Sequence, residues 1–182
     1  MLESGNMKTA LDILMQDFPK QNLAVLLIGG YALQAYDVVR QTMDVDCLLP
    51  QSSDGSAKDV FVQYGYAEKV RTGNFVRYSH SSVYMMDVDV LFVDASTFEK
   101  MLKESNPYHQ GTGMVRVPSL AHLVALKLHA IKNNPNRQAK DQGDIIDLIR
   151  ANPGRLSRSE LMDLCGRYGP ADIFSTFGVL FP

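Results

Sequence analysis

Apolar residues return at helical spacing over 9–18, where Leu11, Leu14, Met15 and Phe18 mark one face and predict an amphipathic helix. The apolar run LAVLLI (23–28) is closed by Gly29 and Gly30 and reads as a buried strand ending in a tight turn. A helix is expected to start near Tyr31, in YALQAYD. The stretch DVDCLLP (44–50) predicts a strand stopped by Pro50, and 57–65 a helix ending at Gly65. Residues 74–93 predict a hairpin turning at SHSS (79–82), with a long second strand rich in Val, Met and Phe.

Beyond that point the period becomes helical. Ser96 followed three residues later by Glu99 has the form of a capping box opening a helix over 96–105. The segment 115–134 starts like a strand, passes Pro118 and continues as a long amphipathic helix. A second helix is expected over 137–151, closed by Asn-Pro-Gly, and a third over 157–169. Residues 1–117 therefore read as an α/β core and 118–182 as a helical layer packed on it, a single compact unit. The fold class expected is α+β, with a small mixed or antiparallel sheet and flanking helices.

Composition changes this picture little: 46% hydrophobic and 21% charged residues are those of an ordinary globular protein. No apolar run approaches the roughly eighteen residues of a membrane span, and the first eighteen positions lack a signal-peptide pattern. Cys47 and Cys165 make no disulfide framework, so a cytoplasmic location is expected, with Cys47 simply buried in its strand. Charge is more informative. Residues 1–115 carry nine basic against fourteen acidic side chains, whereas 116–158 carry eight basic against three acidic. Such asymmetry suits a site with metal on one wall and polyphosphate on the other, and equally two surfaces that attract each other.

Candidate chemistry begins with the aspartates. In an extended strand, side chains two apart share a face, so Asp44 and Asp46 point one way while Val45 and Cys47 point the other. In MMDVDVLF the same arithmetic puts Asp87 and Asp89 together. A lone DxD is more often solvated at a strand end than functional. Two such pairs within apolar strands call for a cation, and oxygen ligands on neighbouring strands suit Mg²⁺.

Gly29 and Gly30 would let backbone N–H groups approach an anion, or merely make a tight turn. With no GxGxxG and no GxxxxGK[ST], Rossmann and Walker readings are excluded. Lys127 falls on the apolar stripe of its helix, either snorkelling outward or held against an anion. Asp141 and Asp144 share a face and either pair with Lys127 or are solvated. His122 and His129 lack a third partner and read as ordinary helix histidines.

The glycine pair followed by RQTMDVD resembles the signature of the DNA polymerase β-like nucleotidyltransferase superfamily. SLAHLVALKLHAI with RQAKDQGDIIDLI further resembles the helical segment of AbiEii-type nucleotidyltransferases, the toxin components of toxin–antitoxin pairs. The resemblance spans about 23–150. It implies metal-binding and catalytic roles for Asp44, Asp46 and Asp89, the last preferred to Asp87 because two apolar residues follow it soon after. It implies nucleotide or phosphate contacts for Gly29, Gly30, Arg40, Thr42, Lys127 and Lys140, with Arg137, Asp141 and Asp144 as further candidates. Tyr31 departs from the pattern, since many members have serine after the glycine.

The activity implied is transfer of an NMP from an NTP to an acceptor hydroxyl, with Mg²⁺ or Mn²⁺ as cofactor. The acceptor, whether tRNA, protein or small molecule, is left open, an antitoxin is the implied protein partner, and no membrane is involved. The competing readings are a non-catalytic nucleotide- or partner-binding relative and a nucleic-acid-binding module on the basic stretch 116–158. That stretch has neither an aromatic stacking platform nor a lysine-rich run, which argues against the second.

Overall fold

The run DVDCLLP becomes a central strand because its alternation is framed by fully buried residues: Val45, Cys47, Leu48 and Leu49 are all in the core. A computed structural model describes residues 8–181. Seven strands form one mixed sheet: β1 (Leu26–Leu27), β2 (Asp44–Pro50), β3 (Tyr66–Arg71), β4 (Phe75–His80), β5 (Asp87–Val93), β6 (Asn106–Gln110) and β7 (Gly113–Val117). Their order is β3-β4-β5-β2-β1-β7-β6. β2 runs parallel to β5 and antiparallel to β1, and β1 runs parallel to β7. The fold is α+β, as the alternation of helical and strand periods indicated.

The helices are α1 (Ala10–Asp12, continued by a π-helical stretch Ile13–Asp17), α2 (Gly29–Gln34), α3 (Asp54–Gln63), α4 (Ala95–Lys103), α5 (Leu120–Asn133), α6 (Gln138–Ala151), α7 (Arg158–Tyr168) and α8 (Phe174–Gly178). α1 is opened by a capping box, Thr9 with Asp12, and α7 by another, Ser157 with Glu160. None of the helices among the described residues is long and apolar enough to cross a membrane.

The chain divides into two compact units. The first holds the described residues up to Tyr31 and Gln41–Val117; the second holds Ala32–Arg40 and the described residues from Pro118 onward. The first unit contains the sheet. An aromatic cluster anchors α3 to it: Phe61 lies 4.8 Å from Tyr78, 5.4 Å from Phe18 and 5.8 Å from Tyr66, ring centre to ring centre. Tyr78 and Val76 supply the buried face of β4, which leaves Arg77, between them, on the opposite face.

The second unit is built on α5, whose Leu120, Leu123, Val124, Leu128 and Ile131 are buried. Residues 32–40 belong to it through Tyr36. The Tyr36 hydroxyl donates to the Pro118 carbonyl at 2.5 Å, and the Asn152 side-chain amide donates to the Tyr36 carbonyl at 2.8 Å.

Several sequence expectations are corrected. The helix after the glycine pair starts at Gly29 rather than near Tyr31, so the glycines form its first turn. The cap of α4 is Asp94, whose carboxylate accepts from the Thr97 N–H at 2.9 Å; Ser96 hydrogen-bonds to that carboxylate instead of capping. The second hairpin strand begins only at Asp87, because 81–86 form a loop in which Val83 and Tyr84 are exposed. The loop is shaped by the Ser82 N–H donating to His80 Nδ1 at 2.9 Å. β3 and β6 gave no apolar signal. β3 is an edge strand with one buried residue, Tyr66, and its charged side chains blunt the edge.

Candidate active site

The register of the central strands decides which side chains meet. β2 and β5 pair with Asp44 opposite Asp87 and Asp46 opposite Asp89. Because residues two apart share a face, all four aspartates lie on one face of the sheet. Among the described residues, carboxylate oxygens of Asp44, Asp46 and Asp89 come within 4.8 Å of one another, and Asp87 is outside that group. Asp89 is buried, while Asp44 and Asp46 are half-buried. Each pair of ionised carboxylates at that distance repels by roughly 1 to 3 kcal/mol. The Thr42 hydroxyl steers one of them, donating to the Asp44 carboxylate at 3.0 Å.

The counter-charge comes from a residue that the sequence did not single out. Arg77 on β4 stands opposite Asp89 in the antiparallel β4–β5 register. Its Nε and Nη2 donate to the two Asp89 oxygens, each at 2.6 Å, and Nη2 lies 3.9 Å from Asp44. This is a bidentate fork, the strongest form of the pair. The nearby aspartates, Asp89 first, push the guanidinium pKa further up, so Arg77 stays charged. The signal was present as an arginine between two core residues, Val76 and Tyr78, in a strand of period two.

Gly29 has a role in shape. Its φ is +64°, and a Cβ built there would lie 1.9 Å from Asp46 Oδ2. Only glycine allows the turn to press against that carboxylate. Cys47, on the other face, is fully buried, and burial followed by the charges of Asp46 and Asp89 pushes its thiol well above the ordinary range. It is a packing residue rather than a nucleophile. The Tyr31 hydroxyl, where the resemblance leads one to expect serine, donates to the Met86 sulfur at 3.4 Å.

The remaining predicted residues lie in the helical unit. Lys127 is buried, and its Nζ contacts Asp144 at 2.6 Å and Asp141 at 3.4 Å. Arg137 pairs with Asp141 at 2.9 Å and Arg40 with Asp144 at 3.2 Å. These five side chains form one ion network that ties α5 to α6 and to residues 32–40. Lys140 is exposed.

The carboxylate set fits a divalent cation. All its donors are oxygen, and it concentrates like charge in a partly buried place. Gly29→Ala is expected to lower Mn²⁺ affinity about 10- to 100-fold by moving Asp46, measured by calorimetric titration. It should also cost about 1–2 kcal/mol of stability through the left-handed backbone, read by thermal unfolding. Unchanged Mn²⁺ binding would show that Gly29 does not set the Asp46 position.

No family model and no curated protein matches the sequence. Solved structures do match in fold. The antibiotic-resistance factor ANT(2'')-Ia superimposes with a TM-score of 0.63 at 14% identity, covering 93% of this chain and 92% of that one. The lincosamide antibiotic adenylyltransferase LnuA gives 0.51 at 12% identity over 74% of this chain and 91% of that one. The Megavirus polyadenylate synthase gives 0.57 at 12% identity over 81% of this chain but 32% of that one. The chain therefore has the nucleotidyltransferase fold.

Proposed function

We propose that this protein is a divalent-cation-dependent nucleotidyltransferase that moves an NMP from an NTP to a hydroxyl of a small-molecule acceptor. The observation that carries the reading is the convergence of Asp44, Asp46 and Asp89 from two adjacent strands, with Gly29 pressed against Asp46. In the reaction, the acceptor oxygen bonds to the α-phosphorus and the α–β bridging bond breaks. Pyrophosphate leaves with the electron pair, and the hydroxyl proton passes to a carboxylate of the cluster or to water.

A cation held by these aspartates would supply neutralisation of the triphosphate and of the attacking and leaving oxygens. The chain's own contribution is placement. Thr42 orients Asp44 and the glycine turn fixes Asp46. Fixed charges of this kind need no reorganisation as the reaction proceeds.

A small acceptor is favoured over RNA by extent. The chain matches nearly the whole length of ANT(2'')-Ia, which has been solved with adenylyl-2"-tobramycin, but only a third of the polyadenylate synthase. A non-catalytic relative would hold the same cation and is told apart by whether pyrophosphate is released. The AbiEii-type refinement, with its toxin role and antitoxin partner, rests on the helical motif alone. Lys127, Asp141 and Asp144 of that motif satisfy one another in a buried network, which gives them a purpose without a nucleotide.

The test is incubation with each α-labelled NTP, Mg²⁺ and either a panel of hydroxylated small molecules, total RNA or cell protein. Label is expected in the small-molecule fraction together with released pyrophosphate. Label on RNA or protein would overturn the acceptor class, and NTP binding without pyrophosphate release would overturn the activity.

A further inference from the structure

Four aspartates share this face of the sheet with Arg77, and within the group of three that the arginine joins the charges do not cancel. Asp44, Asp46 and Asp89 bring three negative charges and Arg77 returns one positive, so the cluster with its arginine matches a single divalent cation. The arginine is also placed where a cation would compete with it. Its fork occupies both Asp89 oxygens at 2.6 Å, and the same Nη2 reaches to 3.9 Å of Asp44. The Arg77 side chain is 39% exposed whereas that of Asp89 is 11% exposed, so the guanidinium has open space to swing into while the carboxylate does not.

We propose that Arg77 is a positioning residue that holds Asp89 in the metal-free protein and competes with a divalent cation for it. The inference rests on the metal-binding reading of the three aspartates. Arg77 then acts as an internal occupant of the site: it offsets carboxylate repulsion when no cation is bound and restricts Asp89 to a cation able to displace it. A cation that takes Asp89 as a ligand therefore binds only as the fork opens.

The experiment is titration of the full chain with Mn²⁺ alone, followed by electron paramagnetic resonance of free Mn²⁺ and by calorimetry. Arg77→Met removes the charge and the fork while keeping much of the side-chain length. It is expected to tighten Mn²⁺ binding by at least about tenfold, the effect of removing one positive charge a few ångströms from a divalent ion in a largely solvated setting. Arg77→Lys keeps the charge but loses the planar fork, so a smaller tightening is expected. It also provides a readout if the methionine variant does not fold. Mn²⁺ affinity equal to or weaker than that of the native protein in the folded variants would overturn the proposal. If the native protein binds Mn²⁺ and Asp46→Asn does not, that failure falls on Arg77 alone. Absence of Mn²⁺ binding in native and variant proteins alike would overturn both the proposal and the metal-binding reading beneath it.

Discussion

Asp46→Asn is expected to lower transfer of label from an α-labelled NTP by about a thousandfold while leaving the protein folded. The size follows from the position of Asp46. Its carboxylate is the one against which Gly29 is closed, and it lies opposite Asp89 in register, so it stands at the middle of the three-carboxylate group. Asparagine has nearly the same volume but cannot supply the charge. Loss of a fixed charge aimed at the reacting phosphate costs on the order of 3–4 kcal/mol of barrier, which is two to three powers of ten in rate. Stability should move the other way, because removing one of three mutually repelling charges relieves strain. The expected result is thus an unfolding temperature at or slightly above that of the native protein with almost no transfer. Asp87→Asn is the matched control: Asp87 shares the face but lies outside the group, so transfer should stay within about tenfold of native. Native-level labelling by Asp46→Asn, or equal losses in both variants, would remove the assignment.

The period-two rule applied to DVD was enough to put Asp44 with Asp46 and Asp87 with Asp89. That the two pairs meet at all depends on the parallel register of β2 and β5, a long-range fact that no local pattern encodes. The preference for Asp89 over Asp87 came from the family resemblance, and the register, which pairs Asp87 with Asp44 as it pairs Asp89 with Asp46, does not choose between them. The pairing of Arg77 with Asp89 was not legible for a similar reason. Its strand is recognisable, but its partner lies twelve positions away across a hairpin whose loop is longer than SHSS suggested.

The glycine pair was legible as a turn, while its contact with Asp46 requires β1 and β2 to be adjacent and antiparallel. The edge strands β3 and β6 carry no apolar alternation because one has a single buried residue and the other none. Lys127 was rightly singled out as unusual on an apolar stripe. Sequence left open whether it turned outward or faced an anion, and the anions proved to be Asp141 and Asp144 on the next helix.

That network carries the second large effect. Lys127→Met is expected to destabilise the protein by about 3–5 kcal/mol, because it strands two buried carboxylates rather than because it loses a favourable pair. Asp141 is fully buried and Asp144 is 4% exposed, so neither can turn to water. Arg137 remains beside Asp141 and Arg40 beside Asp144, but both are partly solvated. For a chain of this length the loss corresponds to a fall of about 6–20 °C in unfolding temperature. A lysine held in reserve for phosphate predicts the opposite: unfolding unchanged and only NTP affinity reduced. The two roles separate cleanly in a triple variant, Lys127→Met with Asp141→Asn and Asp144→Asn. With both stranded charges neutralised, most of the lost stability should return, since the Arg40 and Arg137 that remain can solvate. A triple variant no more stable than Lys127→Met would mean that the network is not what holds α5 to α6.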